Sequence, residues 1–255
     1  MQSLVGIVPA AGQGSRLRPF AYPKELMPIA YEAAERGEAR PILVIERSIE
    51  ALRRAGATRA IVVIAPHKTE IVRYLGDGSG LGLPIAYAVQ PEPRGLADAI
   101  LRAADWAPDR PLALVLPDAL FEPRDAVLRT RQTLTATGAD LALGVFPTET
   151  PALFAPVHSG ADGAVERVEE KPSASRLMNT WGTAVWTPRF TAFLRDWASD
   201  MDADDASVSL AFDAAVGAGL SVRAAAFAEG SYRDLGTRAG LAAALWPDRE
   251  GPAPR

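Results

Sequence analysis

The stretch Leu4-Val5-Gly6-Ile7-Val8-Pro9-Ala10-Ala11-Gly12-Gln13-Gly14-Ser15-Arg16-Leu17 joins an apolar run to a glycine-rich turn. The run Leu4–Val8 is short, nearly all apolar and stopped by Pro9, which reads as a strand buried on both faces. Similar runs recur at Ala60–Ala65, Ile85–Val89, Leu112–Leu116 and Leu141–Phe146. Between them apolar residues return at helical spacing. Ile45, Ile49 and Leu52 precede Gly56, Ile71 and Leu75 precede Gly76, and Leu96, Ile100 and Ala103 follow Gly95. A fourth helix is expected between Pro123 and Gly138. Continuous apolar strands alternating with amphipathic helices predict an α/β, Rossmann-like fold: a mostly parallel mixed sheet with helices on both faces. In such sheets ligands bind beyond the C-terminal ends of the strands, so functional residues should follow strands.

After Phe154 the rhythm changes. Ala164–Val168 and Thr183–Trp186 read as strands without companion helices, which predicts a small β-rich elaboration folded over the crevice. Helical spacing returns at Phe190–Trp197 and Val208–Val216, followed by a strand at Leu220–Phe227 and a last helix at Ala239–Trp246. The expectation is one domain over residues 1–246, built from halves 1–146 and 147–246, with a polar tail at 247–255.

The composition narrows the function. The chain has 255 residues, 48% of them hydrophobic, which is enough for a large core. A net charge of -4 supplies no long-range field for nucleic acid or an anionic membrane, so neither is expected as a partner. Phosphate binding would have to come from local groups. No cysteine is present, which excludes disulfides and thiolate metal sites. No apolar run is long enough for a signal peptide or a membrane span, and a cytoplasmic location is expected.

The glycine-rich turn lets backbone N–H groups approach phosphate oxygens, although Gly-x-Gly alone also fits an ordinary strand-to-helix turn. A dinucleotide fingerprint needs a third glycine where Leu17 stands, and a Walker loop needs Lys-Ser or Lys-Thr where Ser15-Arg16 stands. Arg16 offers a bidentate phosphate donor and Lys24 a point charge. After the third strand comes Gln90-Pro91-Glu92-Pro93-Arg94-Gly95, whose Gln amide carries a donor and an acceptor that match N3–H and a carbonyl of uracil or thymine. Cytosine needs the reverse pattern, which a flipped Gln supplies. Asp118 follows the fourth strand and Asp234 lies in Ser231-Tyr232-Arg233-Asp234-Leu235-Gly236-Thr237. Either could be a cap or a turn residue. Together they offer carboxylate oxygens of the kind Mg²⁺ takes.

Pro9–Pro19, followed by Pro23-Lys24-Glu25-Leu26-Met27-Pro28, resembles the signature of sugar 1-phosphate nucleotidyltransferases, most closely UTP–glucose-1-phosphate uridylyltransferases. Leu75–Ser79 and the Gln90 segment also resemble glucose-1-phosphate thymidylyltransferases. The resemblance implies transfer of a nucleoside monophosphate from UTP or dTTP to a sugar 1-phosphate, with release of pyrophosphate and with Mg²⁺ on Asp118 and Asp234. It further implies that residues 1–146 bind the nucleotide, through Ala11, Gly12, Gly14, Gln90 and Gly95. Arg16 and Lys24 would hold charge on the leaving pyrophosphate. Residues 147–246 would bind the sugar, with Glu170 on its hydroxyls, Lys171 on its phosphate and Gly182 at its border. Asn179 is a candidate neighbouring contact. Glu169 is expected to be a charged strand end on the surface, and His67 and His158 to be structural or exposed.

Three positions depart from the resemblance. Ala155 replaces a glycine, Leu210 replaces an acidic residue at the end of Asp205–Leu210, and Tyr31–Arg40 reads as a charged insertion. A catalytically silent nucleotide-sugar-binding or regulatory relative is the alternative, but it would be expected to lose Arg16, Lys24, Lys171 or an aspartate, and all are present. A homo-oligomer is compatible with the apolar late helices.

Overall fold

The computed structural model describes residues 3–17, 22–33, 38–200 and 207–245. Arg18, Pro19, Asp205, Trp246 and the 247–255 tail lie outside this set. The chain begins with β1 (Leu4–Pro9), a hairpin of β2 (Pro28–Ala33) and β3 (Ala39–Leu43), and α1 (Val44–Arg54). Strands and helices then alternate: β4 (Ala57–Ile64), α2 (Thr69–Leu75), β5 (Ile85–Val89), α3 (Gly95–Ala104) and β6 (Leu112–Val115). Next come β7 (Ala119–Glu122), α4 (Ala126–Thr137), β8 (Leu141–Pro147), β9 (Val157–Ser159), β10 (Val165–Val168) and β11 (Asn179–Trp186). The last elements are α5 (Pro188–Ser199), α6 (Val208–Gly217), β12 (Val222–Ala226), β13 (Ser231–Asp234) and α7 (Arg238–Leu245).

Seven strands form the central sheet in the order β12-β8-β11-β6-β1-β4-β5. β1 pairs in parallel with β4 and β6, β4 with β5, and β12 with β8, while β11 runs antiparallel to both β6 and β8. The mixed, mostly parallel sheet expected from the sequence is therefore present. Its two faces explain why the strands are apolar throughout. Val5 and Ile7 of β1 enter one core with Ala97 and Ile100 of α3, Phe190 of α5 and Phe212 of α6. Leu4 and Val8 enter the other core with Ile45, Ile49 and Leu52 of α1, Ile71 of α2 and Leu134 of α4. Side chains alternate along a strand, so a strand covered on both sides needs an apolar residue at every position.

Three small ribbons lie outside the sheet: β9–β10, β7–β13 and β2–β3. Of the two strands expected in a small β-rich elaboration, Ala164–Val168 falls in the β9–β10 ribbon, whereas Thr183–Trp186 is corrected: it belongs to β11, paired antiparallel between β6 and β8 inside the central sheet. The β2–β3 ribbon gives the charged Tyr31–Arg40 stretch its structure: Tyr31 pairs with Pro41 and Glu32 with Arg40. The Arg40 guanidinium bridges Glu32 (2.6 Å) and Glu46 of α1 (2.8 Å), which ties the hairpin to the helix. Among the described residues no helix is long and apolar enough to cross a membrane.

Candidate active site

β1, β4, β5 and β6 run in the same direction, so their C-terminal ends share one edge of the sheet. From those ends come the glycine-rich loop, Lys68, Gln90 and Asp118. In the first loop Ala11 is buried, and a Cβ at Gly12 or Gly14 would meet nothing within 4 Å. Gly14 has φ +63°, a conformation that glycine adopts without steric cost. Arg16 follows in a single turn and donates from Nη1 to Asp234 Oδ2 at 3.3 Å. Lys24 opens a second turn, Lys24–Leu26, and its Nζ contacts Asp118 Oδ2.

The two aspartates meet because of the β7–β13 ribbon. Pairing sets Asp234 opposite Ala119, and the Leu235 N–H donates to the Asp118 carbonyl at 2.8 Å. Gly236 measures the convergence. A Cβ there would lie 2.6 Å from Asp118 Oδ2, 2.8 Å from Asp234 Oδ1 and 2.9 Å from Lys24 Nζ. The Gly236 N–H donates to Asp234 Oδ1 at 2.7 Å. Two carboxylates this close repel one another, and a cation on each offsets that repulsion. Burial, and then the charges of Asp234 and Asp118, push the Tyr232 phenol well above its ordinary value of 10, so it stays protonated at neutral pH.

A second ion pair supports the first. Lys68 Nζ, just past the end of β4, donates to Glu25 Oε1 at 2.8 Å and to the Ala10 carbonyl at 2.8 Å. It thereby ties the β4 exit to the glycine-rich loop and to the turn that carries Lys24. Both side chains are enclosed (6% and 1% exposed), and Glu25 Oε2 is buried without a partner. Removing the cation would leave a buried carboxylate uncompensated. Lys68→Ala is expected to lower stability by about 3–5 kcal/mol, read from the midpoint of chemical denaturation. A loss under about 1 kcal/mol would show that the pair does not hold these loops together.

Gln90 ends nearly enclosed beyond β5, its Nε2 donating to the Gly95 carbonyl (3.0 Å) and to Asp98 Oδ2 (2.7 Å). On the other half, Lys171 Nζ lies 3.2 Å from Glu170 Oε1. Lys171 has φ +43°, an unfavourable conformation for a side-chain-bearing residue, and its N–H is held by the Phe154 carbonyl at 2.9 Å. Phe154 packs edge-on against Tyr232 of β13, centroids 5.8 Å apart, which links this segment to the strand that carries Asp234. Gly182 lies on β11 with its open face covered: a Cβ there would be 2.6 Å from the Tyr232 ring and 2.9 Å from Phe146.

Two minor expectations are corrected. Asn179 accepts from the Val157 N–H (2.8 Å) and donates to the Val157 carbonyl (3.1 Å), so both ends of its amide latch β11 to β9. Glu169 is not a surface charge. Its side chain is 15% exposed and bonds His158 Nε2 at 2.8 Å. The His158 contact holds its carboxyl below the ordinary value of 4.5. Lys68, Glu25, Tyr232, Gly236 and Asp98 were not singled out from the sequence. Lys68 follows a predicted strand, so the strand-end rule was the available signal for it. Glu25, Tyr232 and Gly236 are defined by contacts with distant residues, and Asp98 by its bonds to Gln90 and Arg102 within the same loop and helix.

A mostly parallel α/β sheet with cations and carboxylates gathered at the C-terminal ends of its parallel strands sets the class. The nucleotidyl transferase family profile matches residues 5–248, and the chain belongs to that family. The low-salt glycan biosynthesis nucleotidyltransferase Agl11 of Haloferax volcanii is 31% identical over 82% of this chain and 57% of its own length. A glucose-1-phosphate thymidylyltransferase of an Actinoplanes species is 34% identical over 67% of this chain and 54% of its own. The chain thus spans little more than half the length of these curated relatives. A Bacillus anthracis chain assigned to the glucose-1-phosphate thymidylyltransferases, solved in complex with a sucrose, superposes with a TM-score of 0.82. The superposition covers 99% of this chain and 98% of that one at 18% identity, a likeness of fold.

Proposed function

We propose that the chain transfers a pyrimidine nucleoside monophosphate from dTTP or UTP to a sugar 1-phosphate, releasing pyrophosphate. The observation that carries this reading is the meeting of Lys24, Asp118 and Asp234 around Gly236, with Arg16 on the second carboxylate. Residues from four separate loops would not gather unlike charges at a sheet edge for packing alone. The thymidylyl names of the relatives make dTTP and glucose 1-phosphate the first pair to test. The motif resemblance makes UTP the second donor.

In this reading residues 1–146 take the nucleotide and residues 147–246 the sugar. Gly12 and Gly14 leave open space beside the loop's backbone, where its N–H groups would bind triphosphate oxygens. Gln90 reads the base. Lys171 and Glu170 orient the sugar phosphate. A phosphate oxygen of the acceptor attacks the α-phosphorus of the donor, a P–O bond forms, and the bond to the β-phosphate breaks so that pyrophosphate leaves. Both reactants are polyanions, so positioning and charge neutralisation provide most of the acceleration. Arg16 and Lys24, which rest on the carboxylates in the free protein, stabilise charge growing on the leaving group.

Asp118 and Asp234 fit Mg²⁺. They offer two hard carboxylate oxygens that converge beside Gly236, where a Cβ would force them apart, and Mg²⁺ commonly fills its other positions with water and phosphate oxygens. Bound there, the ion would supply Lewis-acid polarisation of phosphate oxygens.

The test is pyrophosphate release from dTTP, UTP, CTP, ATP and GTP, each with a panel of sugar 1-phosphates, with and without Mg²⁺. Release is expected from dTTP or UTP, and only when both acceptor and metal are present. No release from any combination would reject the reading, as would equal release without an acceptor.

A further inference from the structure

Building on the base-reading role proposed for Gln90, we infer that Asp98 fixes the orientation of its amide and thereby selects uracil- or thymine-bearing donors over cytosine-bearing ones. The two ends of a glutamine amide are nearly the same size but opposite in hydrogen-bonding character. An unrestrained Gln can meet the N3–H of uracil or thymine with its oxygen, or the N3 lone pair of cytosine with its nitrogen. Here the choice is already made by the protein.

Gly95, Asp98 and Arg102 follow one another at spacings of three and four along α3, so they share the face turned to Gln90. Gln90 Nε2 donates to the Gly95 carbonyl at 3.0 Å and to Asp98 Oδ2 at 2.7 Å. The same Asp98 oxygen accepts from Arg102 Nε at 2.7 Å, which steers the carboxylate and marks that oxygen as an acceptor. Turning the amide by half a rotation would press Gln90 Oε1 against two acceptors and break both bonds. Gln90 is only 5% exposed, so water has little room to replace them. The far end stays available. Among the described residues, Glu25 Oε2 and Glu169 Oε2 are the enclosed side-chain atoms without partners, so the unpaired Gln90 Oε1 reaches solvent. What the protein presents outward is therefore an acceptor held in place.

An N3–H donor satisfies that oxygen. Cytosine would set its N3 lone pair against it and leave two acceptors facing each other, which costs on the order of 100-fold in donor preference. The lock does not separate UTP from dTTP, which share the N3–H.

Three measurements test this. The first is the ratio of kcat/KM for dTTP or UTP to that for CTP. The wild type is expected to prefer the former by about 100-fold, and Asp98→Ala to narrow the ratio about tenfold or more. Asp98→Asn is the discriminating control. Arg102 selects the Asn oxygen at the shared position, so most of the preference should survive, whereas a residue acting only through its charge would lose it in both variants. The second is hydrogen exchange of the Gln90 side-chain amide by NMR in the free protein. Its protons should be protected in the wild type and in Asp98→Asn, and released in Asp98→Ala. The third is calorimetric binding of UTP against CTP, which judges the lock even if no acceptor supports turnover and the transferase reading fails. An unchanged ratio in Asp98→Ala overturns the inference, as does equal use of CTP by the wild type or an unprotected Gln90 amide. None of these three results would by itself touch the transferase reading.

Discussion

Asp118→Ala is expected to lower pyrophosphate release by about a thousandfold or more while the protein stays folded. The carboxylate does two things at this position. In the proposed reaction it would offer an oxygen to Mg²⁺, and in the free protein it holds Lys24 Nζ at the point where Asp234 and Gly236 meet. Alanine removes both. The fold should survive because the β7–β13 ribbon uses the backbone of Asp118: its carbonyl accepts from the Leu235 N–H, and alanine keeps that carbonyl. The check is a steady-state rate with dTTP or UTP, a sugar 1-phosphate and Mg²⁺, beside a denaturation curve. A variant that turns over at the wild-type rate would remove Asp118 from the chemistry. A variant that unfolds would instead point to a structural role for the carboxylate, and Asp118→Asn, which keeps the shape without the charge, would then separate the two.

Gly236→Ala is expected to cost about 100-fold in kcat/KM with a stability change under about 1 kcal/mol. The added methyl would stand 2.6–2.9 Å from Asp118 Oδ2, Asp234 Oδ1 and Lys24 Nζ, too close for any of them to stay. All three are the tips of side chains that can rotate away, so the fold bears little strain. Their new positions would no longer converge, and a displacement near 1 Å in a reacting constellation is enough for a loss of that size. This split between activity and stability is what distinguishes a glycine kept for the site from one kept for the backbone. Equal losses in both would assign it to the backbone, and wild-type turnover would show that the three groups need not meet.

How much could be read from the chain alone differs sharply between parts of the site. The glycine-rich loop, Arg16, Lys24, Gln90 and Asp118 all lie on or just after the first parallel strands, and local patterning sufficed to put them on one sheet edge. Asp234 could be named only by its motif, because Ser231–Asp234 is too short and too polar to stand out as a strand and gains its structure from pairing with Ala119–Glu122. Glu169 and Asn179 were misjudged for a related reason. Each is polar and follows or opens a strand, which suits solvent as well as it suits a ligand, and the partners that claim them, His158 and Val157, lie on the neighbouring strand β9, 11 and 22 residues away.

Apolar periodicity and glycine placement are local quantities, and they were enough to specify a mostly parallel, doubly covered sheet and its helices. Which charges neutralise which was decided only when the folded chain brought distant segments together, Lys24 to Asp118 and Arg16 to Asp234, whereas the Gln90 amide is set by Gly95 and Asp98 close by at the start of α3. A residue's patterning is carried by its near neighbours in sequence. Its electrostatic and hydrogen-bonding state depends on neighbours in space, and those do not exist until the strands have paired.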